Sequence, residues 1–177
     1  MDMMKIREAK GFVGADFLTW LWFEAESREG VFELEEIGTV DIYPDDQLVL
    51  AAEHSEARES VLRKGTPAEG AEAGAALAVG KKVARIKWKV QSEAGDFVVT
   101  LDADDLDVRG LRIAAVPAPT AIERIIARME RLEEVYELID ALFRLFLDRR
   151  LAESWESETL PAMRAWVRRK DGDDEAS

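Results

Sequence analysis

The sequence predicts an α+β fold: an antiparallel sheet carrying an N-terminal aromatic helix, a small central alanine-rich helix and a long C-terminal helix. Three observations predict it. The run Phe17-Leu18-Thr19-Trp20-Leu21-Trp22-Phe23 packs six large apolar residues into two helical turns. Residues 82–91 alternate apolar and basic side chains with the period of a strand. From Ile122 onward, apolar residues recur at 3-4 spacing for more than three heptads.

Residues 1–13 read as a flexible leader and residues 14–116 as the α+β domain. The first helix is expected over about residues 15–26, with Asp16 as N-cap and Gly30 ending the signal. Phe17, Leu21 and Ala25 fall at i, i+4 and i+8, with Leu18 and Trp22 beside them. Trp20 and Phe23 lie off that stripe, so the helix is either buried on two sides or carries a binding face there. That makes Trp20 and Phe23 candidate partner contacts.

Strands follow at residues 31–35, 39–43, 47–52 and 60–63, with Pro44-Asp45-Asp46 as a turn between the second and third. Thr66-Pro67-Ala68-Glu69 has the pattern of a capping box opening a helix that ends at Gly80. In the strand at 82–91, Ala84, Ile86, Trp88 and Val90 share one face, and Arg85, Lys87 and Lys89 share the other. After a turn at 92–96, residues 96–102 pair back with Phe97, Val99 and Leu101 inward, and a third strand runs over 106–113.

Pro117 and Pro119 separate this domain from a helical region, residues 117–170. Thr120-Ala121-Ile122-Glu123 is a second capping box, and the helix it opens runs to about residue 150. Ile122, Ile125, Met129, Leu132, Tyr136, Ile139, Phe143 and Phe146 form its main stripe. Val135, Leu138, Leu142 and Leu145 add a second stripe in the later half, a face too wide for one sheet contact. They are therefore candidates for an oligomer interface, with core packing first. At ~1.5 Å per residue the helix is about 45 Å long, so one end is expected to project. A short helix with Pro161, Met163, Trp166 and Val167 follows, then an acidic, disordered tail at 171–177.

Composition excludes several function classes. The chain has no cysteine, which removes disulfides, thiolate metal sites and a cysteine nucleophile. The charged N-terminus lacks an apolar signal segment, and the reading is a cytoplasmic protein with no membrane partner. No phosphate-loop or dinucleotide fingerprint is present. His54, the single histidine, cannot form a two-histidine zinc site and has no nucleophile partner. Asp102-Ala103-Asp104-Asp105-Leu106-Asp107 fails as a calcium loop, with Asp107 at the glycine position and Ile113 at the glutamate position. The expectation is a protein with no catalytic residue, no metal and no cofactor: not an enzyme.

Net charge is −13, yet charge is unevenly placed. Residues 31–60 hold nine acids and one base, whereas residues 81–89 hold five bases and no acid. Lys81, Lys82, Arg85, Lys87 and Lys89 are thus the candidate nucleic-acid contacts, with cations roughly 7 Å apart along one strand face. The competing reading pairs the same cations with the acids of 31–60 across the sheet.

The segment Gly14 to Glu26 resembles the recombination-associated RdgC family in its shorter, divergent bacterial forms. Gly80-Lys81-Lys82, Leu101 to Asp107, Ala141 to Leu147 with Arg150 and Trp155, and Pro161 to Trp166 are similar in the same order, so the resemblance spans residues 11–168. It implies a non-enzymatic accessory protein of DNA recombination or replication. Better-known members are ring-forming dimers that bind duplex DNA without sequence preference and restrain the recombinase RecA. This chain is shorter and more acidic than those members, so it corresponds to one part of that architecture and a separate chain is expected to supply the rest. No DNA-contacting residue carries over from the resemblance. The alternative is an acidic protein-interaction and oligomerisation module without direct nucleic-acid binding.

Overall fold

The computed structural model describes residues 3–52, 59–93, 95–114 and 118–172, with side chains from Val13 onward. It is an α+β fold. The elements in order are α1 (Met3–Ser27), β1 (Val31–Leu34), β2 (Gly38–Ala51), β3 (Ser60–Arg63), α2 (Ala71–Ala78), β4 (Lys82–Ser92), β5 (Phe97–Asp102), β6 (Val108–Ile113), α3 (Ala121–Leu151) and α4 (Leu160–Asp171). The strands form one antiparallel sheet in the order β1-β2-β4-β5-β6, with β3 also on β2. His54 and residues 173–177 of the acidic tail lie outside the described residues.

Helix α1 is the centre of the core. It begins at Met3, so residues 3–13, expected as a leader, are helical. No proline interrupts them, and Lys, Arg, Glu, Ala and Met are good helix formers. The predicted stripe of Phe17, Leu18, Leu21, Trp22 and Ala25 is buried, and so are Trp20 and Phe23. Trp20 lies 5.4 Å from the Phe146 ring and Phe23 lies 5.8 Å from Trp166. The sheet takes one side of α1, while α3 and α4 take the other. Both off-stripe aromatics are therefore core, not partner contacts.

Close approach sets the helix seats. A methyl at Gly14 would overlap the Ala103 carbonyl, and one at Gly74 would overlap the Lys170 carbonyl. Glycine lets α1 meet the β5–β6 turn, and α2 meet the end of α4, backbone to backbone.

Strand β2 continues through Pro44-Asp45-Asp46, where the sequence predicts a turn. The chain does not reverse because β4 pairs with β2 on both sides of this point, Pro44 opposite Trp88 and Leu48 opposite Ile86. The turn-forming residues instead make an irregularity, with extra β2 residues looping out between those pairs. Proline has no amide to give the ladder, which suits it to this break.

In β4, Ile86, Trp88 and Val90 face the core as predicted. A second register shift moves Val83 inward in place of Ala84, which is half-buried. Val99 and Leu101 of β5 are buried opposite them.

The capping box at Thr66 does not form. Pro67–Glu69 make a 3₁₀ turn, Gly70 is extended, and α2 starts afresh at Ala71, with no side-chain cap on Thr66. The box at Thr120 does form. Its Oγ1 accepts from the Glu123 amide at 3.2 Å, and the Glu123 carboxylate accepts from the Thr120 amide at 3.0 Å. After α3, a π-helical turn at Trp155–Thr159 leads into α4. Among the described residues no helix is long and apolar enough to cross a membrane.

Candidate functional site

The sheet has one face under α1 and α3 and one face bearing the basic residues of β4. Alternation puts Arg85, Lys87 and Lys89 on that outer face, as the sequence predicts, but most of these cations meet the chain's own carboxylates. Arg85 donates two hydrogen bonds to Asp102 Oδ2, at 2.5 and 3.0 Å, directly across from it on β5. Lys87 reaches Asp46 at 2.7 Å and Asp45 at 2.9 Å. Lys82 pairs with Asp16 on α1 at 2.7 Å. Lys81 donates to Ser60 Oγ on β3 at 2.7 Å. Among the described residues, Lys89 makes no ion pair or side-chain hydrogen bond.

The irregularity in β2 explains the Lys87 pairs: the residues looping out there present both aspartates to the neighbouring strand. Hydrogen bonds to Asp46 and Asp45 raise the Lys87 ammonium above its ordinary 10.5, against the opposing effect of burial. The Lys87 hydrogen bond holds the Asp46 carboxyl below its ordinary 3.8. Hydrogen bonding to Asp102 likewise raises Arg85.

These shifts fix a pH profile. The Asp46 contribution is present above pH 3.8 and is lost as pH falls through the lower folded value. The Lys87 contribution is present below pH 10.5 and is lost as pH rises through the higher folded value. The stability difference between the native chain and Lys87→Met is therefore expected to stay constant from about pH 5 to 9 and shrink beyond both ends. Urea denaturation across pH checks this, and a slope through neutrality would refute it.

The Asp102–Asp107 segment is a turn with structural duties. Asp102 is buried with its carboxylate on Arg85, and Arg109 stands 3.7 Å away. The buried Ala103 donates its amide to Ala84 O at 2.8 Å and seats Gly14. Among the described residues no group of three potential metal ligands converges.

Helix α3 divides into two unlike halves. In the second half, Val135, Leu138, Leu142 and Phe146 are buried, and Phe143 meets Phe17 edge-on at 5.2 Å. Val135, Leu138 and Leu142, expected at an oligomer interface, are thus core, and Leu145 is half-buried. The wide apolar face is covered within the chain, by α1 and Trp155 against Phe143 and Phe146, and by Val40 and Phe97 of the sheet beside Val135 and Leu138. In the first half the main stripe is bare: Ile122 is 71% exposed, Ile125 61%, Met129 57%, Leu132 38% and Tyr136 52%, with Ile126 beside it at 50%. The projecting end expected from the helix length is this one. The exposed stripe follows the 3-4 spacing, whereas the wider apolar face beside it is core.

No protein-family model matches this chain, and no curated protein matches it.

Proposed function

We propose that this protein is a non-enzymatic accessory factor of DNA recombination or replication, RdgC-like, that works through protein contacts made by the first half of α3. The exposed Ile122–Tyr136 stripe carries the reading. Six large apolar residues on one projecting helix face form the kind of contiguous patch that marks an interaction surface. The recombination context comes from the motif resemblance. The net charge of −13 and the internal pairing of Lys82, Arg85 and Lys87 favour protein contact over direct DNA contact.

The test is assembly of RecA filaments on single-stranded DNA, followed by ATP turnover. The native chain is expected to alter assembly, Ile125→Asp/Met129→Asp to lose the effect, and Lys89→Glu to keep it. No effect of the native chain would sink the recombination reading.

Direct, non-sequence-specific DNA association is the second reading, favoured by Lys89 on the open sheet face. It requires salt-sensitive retardation of duplex or single-stranded DNA that Lys89→Glu abolishes.

A further inference from the structure

We propose that the exposed half of α3 pairs in parallel and in register with the same segment of a second copy, forming a two-stranded coiled coil. This rests on the reading of α3 as the interaction surface and names what occupies it.

The stripe has coiled-coil spacing. Ile122, Met129 and Tyr136 take the a positions, and Ile125 and Leu132 the d positions. A β-branched residue at the first a and leucine at the second d suit two strands. At 100° per residue, this stripe lies about 130° around the helix from the buried line through Val135, Leu138 and Leu142. A second helix can therefore lie along it with each domain on its own outer side.

The flanking residues choose the orientation. In a parallel pair, each g position faces the e position five residues on in the other chain. Here that places Arg128 opposite Glu133 of the second copy, and Ala121 opposite Ile126. These two flanks match, charge with opposite charge and apolar with apolar; the third g residue, Val135, is buried in its own chain and takes no part. By two-fold symmetry the ion pair occurs twice. An antiparallel pair instead sets e against e, so Ile126 meets Glu133 and Arg128 loses its acid. Within one chain, Arg128 and Glu133 are exposed and make no ion pair among the described residues.

A two-heptad seam is short for isolated peptides, which must fold their helices on association. Here the capping box and the buried second half of α3 already hold the helix, so association does not bear that ordering cost.

The experiment uses the full chain. Sedimentation at tens of micromolar is expected to give twice the 19.9 kDa chain mass. Ile125→Glu/Met129→Glu is expected to sediment as a monomer with unchanged circular dichroism, since both residues are exposed. Orientation is read by Leu132→Cys, clean because the chain has no cysteine. Parallel, in-register pairing brings the two thiols together, and mild oxidation is expected to give a covalent dimer. Arg128→Glu is expected to raise the dissociation constant about tenfold or more, with Arg128→Glu/Glu133→Arg recovering most of it. A native monomer overturns the proposal, as does a dimer that Ile125→Glu/Met129→Glu leaves intact or that Leu132→Cys cannot cross-link. If the native chain is monomeric while Ile125→Asp/Met129→Asp still abolishes the effect on RecA filaments, the occupant is a different protein, and the reading of α3 as interaction surface survives. If the chain dimerises but leaves filaments unaffected, pairing stands and the recombination reading falls.

Discussion

Trp20→Ala is expected to destabilise the fold by about 3–5 kcal/mol, the cost of removing a fully buried aromatic and leaving a cavity. Against a total stability of about 5–15 kcal/mol, such a loss brings the chain close to unfolding at ambient temperature. Trp20 is 0% exposed and packs on Phe146, so its removal takes away one of the ring contacts that join α1 to α3, beside those of Phe17. Its Nε1 has no hydrogen-bond partner among the described residues, which already costs the native state something. Trp20→Phe removes that unpartnered group while keeping an aromatic ring, so its cost is expected to stay under about 1.5 kcal/mol. Guanidinium denaturation of the two variants checks both values. If Trp20→Ala were as stable as the native chain, the side chain would lie at a surface.

Trp20 also shows where local pattern stops being informative. A helical stripe records one cover, and Phe17, Leu21 and Ala25 were legible on that basis. The second cover comes from Phe146 and Trp166, more than 120 residues away in sequence. No window along the chain contains both partners. The same limit governs α3. Its doubled apolar face at Val135–Leu145 suggested a second copy, but the doubling reflects two intramolecular covers. The narrow a/d stripe before it is the face left bare.

Turn and cap chemistry misled where pairing or backbone geometry overrode it. Pro44-Asp45-Asp46 has turn residues, yet ladder pairs on both sides keep β2 extended across β4. Thr66 and Thr120 carry the same capping pattern, and only Thr120 caps. Gly70, extended four residues after Thr66, prevents a continuous helix there. For the basic strand, the sequence set the spacing and the face correctly. The competing reading, pairing with the acids of 31–60, holds for Lys87, which meets Asp45 and Asp46; what the sequence could not place were Asp102, which arrives from the next strand, and Asp16, from α1.

Glu26→Ala is expected to cost about 3 kcal/mol, a loss out of proportion to a half-buried surface glutamate. One carboxylate serves three donors: Trp22 Nε1 at 2.6 Å, Trp166 Nε1 at 2.8 Å and Lys170 Nζ at 2.8 Å. The indoles are 0% and 4% exposed, so removing the acceptor strands two buried N–H groups. Lys170 also sits 4.9 Å from the Trp22 ring and donates to Ala68 O at 2.6 Å, tying α4 to α1 and to the 3₁₀ turn before α2. The carboxylate is partly open to water, which keeps the expected loss well below that of a fully buried charge. Glu26→Gln retains one acceptor oxygen and is expected to fall midway. A cycle with Lys170→Met separates the roles. If the ammonium dominates, Glu26→Ala adds little once Lys170 is gone; if the indoles dominate, as their burial argues, most of the loss persists in the double variant. Urea denaturation of the four chains decides it, and a Glu26→Ala loss below about 0.5 kcal/mol would show that neither indole depends on this acid.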